Sequence, residues 1–208
     1  MSPPKRILDQ LKIGGPTSAA GLGDVLGITK MAALQHLHSL EEQGLVKRKA
    51  KPGSRGRPTL LWSLTSASLK FFPDAHAELA VSLISCLNET LGRDALDKLI
   101  KARSRHQLQN YRSEIKATSP LGEKLEALAA IRSREGYMAG VEKLGDRNSY
   151  LLVERHCPIC IAATSCTGLC REELSVFRKL LGDKVEVKRT EHIVAGAPRC
   201  AYEVSAIR

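Results

Sequence analysis

Apolar residues recur at helical spacing from the start of the chain. Ile7, Leu8 and Leu11 mark one face of a helix over residues 4–12, which Gly14, Gly15 and Pro16 break. Thr17 or Ser18 is placed to cap a second helix running to about Leu26, with Ala19, Leu22 and Val25 turned inward. Gly27 makes a tight turn, and Thr29 caps a third helix that reaches about Gln43 and stops at Gly44. On this helix Ala33, Leu37 and Leu40 face the core, and Met31 and Leu34 border that stripe. Lys30, Gln35 and His38 point outward. Two strand-like runs, 45–50 and 59–64, flank a tip rich in Gly, Pro and Arg, which predicts a β-hairpin. Helix, helix, glycine turn, helix and hairpin is the order of a winged helix-turn-helix.

Further on, Leu79, Leu83 and Leu87 fall at i, i+4 and i+8. They predict helix from 77 to about 105, interrupted near Gly92. Another helix opens at Pro120, with Leu121, Leu125 and Leu128 on one face. These stripes exceed what a small head and tail need, and two-fold operators ask for a dimer, so the region reads as a dimerisation seam. Cys86 lies on the first stripe and reads as a small core hydrophobe. From 135 the period changes. Runs 136–142, 149–155, 185–190 and 200–206 read as strands, and 171–181 as an amphipathic helix with Leu174, Phe177 and Leu181 inward. The expected class is α+β, in three parts: a winged helix-turn-helix (1–68), a helical linker and dimerisation region (69–134), and a small α+β domain with an antiparallel sheet (135–208).

With 43% hydrophobic and 26% charged residues, the 208-residue chain is globular in composition. No apolar run approaches the ~18 residues of a membrane span, and no apolar signal core follows the first residues. The expected compartment is the cytoplasm, where thiols stay reduced and clustered cysteines point to metal or redox chemistry. Net charge is +10. Residues 1–72 hold eleven Lys and Arg against four Asp and Glu, an excess of +7 that marks a polyanion partner. For duplex DNA the contact residues are Thr29, Lys30 and Gln35 on the third helix, Lys49 and Lys51 on the hairpin, and Arg55 and Arg57 at its tip. A narrow minor groove attracts arginine at such a tip. Residues 27–46, GITKMAALQHLHSLEEQGLV, resemble the recognition-helix stretch of bacterial ArsR/DeoR-type winged-helix regulators.

Five of the six cysteines fall in the last quarter of the chain, spaced Cys157-x2-Cys160-x5-Cys166-x3-Cys170-x29-Cys200. Zinc and iron–sulfur clusters both take thiolates from loops between elements. A zinc site from Cys157, Cys160, Cys166 and Cys170, a redox pair at Cys157 and Cys160, and unligated core cysteines are the competing readings. Glu172 and Glu173 sit in the first turn of a helix, where its dipole favours carboxylates. No convincing acid/base pair accompanies the thiols, so an enzyme is not expected; a cysteine- or cluster-dependent catalyst with an accessory DNA-binding head is the rival from that class.

Cys157, the run CREELSVF (170–177), VKRTEH (187–192) and GAPRCAY (196–202) resemble the C-terminal domain of SufR-type iron–sulfur-sensing repressors. The Cys-x12-Cys-x29-Cys spacing is that family's ligand pattern. With the winged helix, the resemblance spans nearly the whole chain. It implies a homodimer with one cluster per subunit, [4Fe–4S], held by Cys157, Cys170 and Cys200, which represses iron–sulfur assembly genes when loaded. Cys160 and Cys166 are extra to the pattern. With His156 and His192 they are the candidates for a fourth ligand, and they keep zinc as the alternative metal.

Overall fold

The computed structural model describes residues 2–50, 58–145 and 148–207. The fold is α+β, with a helix-turn-helix domain followed by helices and an antiparallel sheet, in two compact units, Met1–Asp74 and Ala75–Arg208.

The first unit contains α1 (Pro3–Gly14), α2 (Ala19–Leu26), α3 (Lys30–Glu42), β1 (Val46–Ala50) and β2 (Leu60–Leu64). The Ser18 hydroxyl caps α2 by accepting the Gly21 N–H at 3.1 Å, and Thr29 caps α3 by accepting the Ala32 N–H at 3.1 Å. Between them Gly27 takes the left-handed φ of 67° that the turn requires. Gly23 permits close approach: a Cβ there would stand 2.7 Å from the Ile28 carbonyl oxygen. Ile7, Leu8, Leu22, Ala33, Leu37, Leu40 and Trp62 form the core, each fully buried aliphatic side chain stabilising by about 1.5–3 kcal/mol. Strands β1 and β2 pair antiparallel, with Arg48 opposite Trp62. Thr17 and Trp62 exchange both backbone hydrogen bonds, at 3.0 and 2.8 Å, which fastens the hairpin to the start of α2. Val25, expected inward, is 61% exposed. Six residues after Ala19 the helix has turned about 120° off the stripe, and Leu26, one residue further, packs instead.

The second unit begins with α4 (His76–Leu91) and α5 (Arg93–Glu114), separated at Gly92. It continues with α6 (Leu121–Arg134), β3 (Ala139–Lys143), β4 (Ser149–Glu154), α7 (Cys160–Ser165), α8 (Gly168–Leu181), β5 (Val185–Glu191) and β6 (Cys200–Ala206). The sheet runs β3-β4-β6-β5, antiparallel throughout. Its core joins Leu108 and Tyr111 of α5, Leu125 and Leu128 of α6, Phe177 and Leu181 of α8, and Leu152, Val187, Tyr202 and Val204 of the strands.

Several expectations change here. Helix α5 runs nine residues past 105, because Leu108 and Tyr111 continue its buried face. The Leu125 and Leu128 stripe is consumed against the sheet rather than left for a partner. Helix α4 has no buried residue. Leu79 and Leu83 are exposed, and Cys86, seven residues from Leu79 and so on the same face, is exposed with them rather than in a core. Strand β3 starts at Ala139, since Gly136 and Met138 both take positive φ and turn the chain first. None of the described helices is long and apolar enough to cross a membrane.

Candidate nucleic-acid face and thiol site

On α3, Thr29, Lys30 and Gln35 are all exposed, although the Thr29 hydroxyl is already engaged in the cap. Arg48 on β1 is tied back to Glu41 at 3.3 Å and lies 5.8 Å over the Trp62 ring. Strand alternation turns its neighbours Lys47 and Lys49 to the other face of the hairpin, where both are exposed. Lys51, Arg55 and Arg57 lie outside the described residues. A helix capped at its N-terminus, with polar and cationic side chains projecting beside a basic hairpin, has the form that enters a DNA groove.

The thiols come from three separated segments. Cys157 lies in the loop after β4, and the Cys160 N–H donates to its carbonyl oxygen at 3.1 Å, which starts the turn into α7. Cys170 is in the first turn of α8, a helix that begins three residues earlier than its sequence suggests. Cys200 opens β6, and its Sγ accepts the Ile193 N–H at 3.4 Å. Burial pushes the Cys157 thiol up to about 12, against a hydrogen bond from the Ile159 backbone that pulls it down. It pushes Cys170 up to about 11, with Glu173 adding to the rise and Arg189 opposing it. Cys200 is raised by burial too, against the Ile193 N–H.

Cys157 senses the charge of Cys160 and Cys200, and Cys170 senses Cys200 and Cys160. Four thiols therefore share one neighbourhood. Cys166 is half-buried: a Cβ on Gly168 would lie 3.7 Å from its sulfur, and it lines a cavity of about 180 Å³ with Ile84, Asn88, Asp97 and Arg171. His156 is exposed, its backbone N–H bound to the Tyr137 carbonyl. His192 is half-buried; burial and Arg189 lower its pKa, and its Nε2 is buried without a hydrogen-bond partner among the described residues. Among the described residues, no three His, Cys, Asp or Glu side chains are placed to hold a metal ion as they stand. Their chemistry nonetheless fits a thiolate-preferring group: soft donors, a backbone N–H on each of two sulfurs, and the Arg189 cation beside Cys170 and Cys200.

Beside the thiols lies a constellation that the sequence did not signal. Arg132 of α6 is fully buried. Its Nε donates to Glu154 at 2.6 Å, its Nη2 to Glu173 at 2.5 Å, and its Nη1 to both Tyr111 and Glu135 at 3.2 Å. The guanidinium lies 3.3 Å from the Tyr137 ring centroid. Burial works against its charge, but Glu173 and Glu154 outweigh that and hold the proton on. Glu173, which reads as a helix-start carboxylate, is instead buried in this ion pair. A helical position facing the core is the one signal that marks it: Glu173 falls between Cys170 and Val176 at three-residue spacing.

Residues 4–49 match the family model of a helix-turn-helix domain. The fold and this match mark the first unit as a helix-turn-helix domain. No curated protein matches the chain. Among solved structures, it is similar to RV1404 from Mycobacterium tuberculosis at 22% identity, covering 45% of this chain and 75% of that one with a TM-score of 0.31. ZitR of Lactococcus lactis, a zinc-responsive MarR family member, matches at 18% identity over 44% and 76%, with a TM-score of 0.30. An H-NOX domain from Shewanella oneidensis matches at 14% identity over 89% and 94%, with a TM-score of 0.39. All three likenesses are remote.

Proposed function

We propose that this protein is a DNA-binding transcription regulator, a homodimeric repressor that senses iron–sulfur status. Cys157, Cys170 and Cys200 hold a [4Fe–4S] cluster, and Cys160 supplies the fourth thiolate. The observation that supports the reading is that Cys157, Cys160, Cys170 and Cys200, carried on a loop, two helices and a strand, lie near enough to feel one another's charge, with the Cys200 Sγ accepting the Ile193 N–H. Such a cluster supplies a redox- and iron-sensitive group whose presence depends on the cell's iron and sulfide. The chain's own part is to deliver thiolates, to donate N–H groups to sulfur and to exclude water. A site of this kind is rarely preformed without its metal, so loading moves the thiol side chains the last distance onto the group. Loading alters operator affinity by as much as it favours one dimer geometry over another. Lys30, Gln35, Lys49, Lys51, Arg55 and Arg57 contact the operator, with Thr29 capping the recognition helix. The exposed Leu79 and Leu83 on α4 support a second copy of the chain as the dimer partner.

Zinc takes the same donors, and six single Cys→Ser variants separate the two metals. Iron, sulfide and zinc are measured after anaerobic purification, together with absorbance near 400 nm. For the cluster, the Ser variants of Cys157, Cys170 and Cys200 lose iron and sulfide, Cys160→Ser holds them weakly, and the Cys166 and Cys86 variants match the parent. A zinc site from the 157–170 loop instead makes Cys166 essential and Cys200 dispensable. A Cys200→Ser protein with full iron and sulfide content refutes the assignment.

A further inference from the structure

We infer that Arg132 is a positioning residue that clamps the three cysteine-bearing segments together from beneath the thiol site. The inference rests on the proposal that these thiols share one metal group. Two arms of the guanidinium end on residues that lie close in sequence to a thiol. Glu154, which takes Nε, lies three residues before Cys157 and stands directly opposite Cys200 in the β4–β6 register. Glu173, which takes Nη2, follows Cys170 by three residues, so both lie on one face of α8. Tyr202 ties β6 in a second time, its hydroxyl donating to Glu154 at 3.4 Å. The third arm, Nη1, leaves the site and meets Tyr111 and Glu135, where Gln107 joins at 2.8 Å. One planar fork thus joins β4, from which the Cys157 loop leaves and against which Cys200 of β6 is paired, to α8, which carries Cys170.

A lysine keeps the charge but is a single point with a flexible stem, and it cannot hold separate acceptors in a fixed plane. Burial makes the geometry stiff. Arg132 has no exposed surface and Glu154 almost none, so neither can swing out to water without leaving a buried charge unpaired. Outer residues that orient ligands typically change metal affinity by about 10–100-fold.

The test uses the full chain and Co(II), whose sulfur-to-metal charge-transfer absorption reports the thiolates drawn to one ion. Parallel samples are reconstituted with iron and sulfide. Arg132→Lys should fold, by circular dichroism and cluster-free melting, yet bind Co(II) about 10–100-fold more weakly than the parent. It should also lose its cluster faster to an iron chelator. Tyr111→Phe removes only the arm that points away and should keep the parent affinity within about twofold, even if it melts earlier. Should Arg132→Lys fail to fold, the triple variant Arg132→Met, Glu154→Gln, Glu173→Gln removes the buried charges together and should show the same loss. Parent-like Co(II) affinity in the folded Lys or triple variant overturns the clamp. Equal weakening in Tyr111→Phe overturns it too, because the effect is then general loosening. A parent chain that takes Co(II) but no iron and sulfide defeats the cluster reading and leaves the clamp to be judged on cobalt; one that takes neither defeats both.

Discussion

Metal loading at the thiol site should be steeply proton-coupled, and the structure sets how steep and over what range. Burial raises Cys157 to about 12 and Cys170 to about 11, and moves Cys200 the same way. In the metal-free chain all three are therefore protonated through the neutral range. A metal ion binds them as thiolates, so each ligand releases one proton. Each proton released makes apparent affinity rise about tenfold per pH unit, so these three ligands alone make it rise about a thousandfold. The sign is fixed: affinity increases with pH. A cysteine of ordinary acidity stops contributing near about pH 8.5, whereas the raised values here keep the full slope to about pH 9. Zn(II) titrations against a competing chelator between about pH 6 and pH 9 measure the slope, and a pH indicator in weak buffer counts the protons. Cys200→Ser should lower the count by about one. A slope that flattens below about pH 8, or a release of a single proton, would refute both the buried state of these thiols and their joint ligation.

Other perturbations test the rest of the molecule. Gly23→Ala puts a methyl group 2.7 Å from the Ile28 carbonyl, a backbone atom that cannot step aside cheaply. It should cost about 1–3 kcal/mol in urea unfolding of the helix-turn-helix unit, and an unchanged midpoint would contradict the close approach. The double variant Arg55→Ala, Arg57→Ala should weaken duplex DNA binding by about 1–3 kcal/mol in gel shifts. The parent's affinity should fall with salt at a log–log slope near −0.9 per phosphate neutralised; a variant that binds like the parent removes the hairpin tip from recognition. Leu79→Glu with Leu83→Glu introduces charge into the exposed stripe of α4 and should leave a monomer of 22.7 kDa by light scattering. A dimer that persists places the seam elsewhere.

The local rules of the chain were sufficient for the helix-turn-helix. Caps at Ser18 and Thr29, a glycine turn at Gly27 and a stripe through Ala33, Leu37 and Leu40 act within a few residues, so the sequence alone specifies them. The four strands of the second unit were legible as runs, the first of them begun three residues too early, and the crowding of cysteines was legible from spacing. Which face each long helix buries was not. Leu79 and Leu125 sit in similar stripes, yet one is exposed and the other lies under a sheet, because only tertiary packing supplies the opposing surface. Val25 failed for a smaller reason, a phase error of one residue. The thiol site divides the same way. Spacing nominated five cysteines, but which of them face one another depends on how α7 and the loop before it turn. Nothing in the sequence marked Arg132. A charged residue in an amphipathic helix reads as solvated until the fold closes over it, and here Glu154 and Glu173, 22 and 41 residues away, make its burial tolerable.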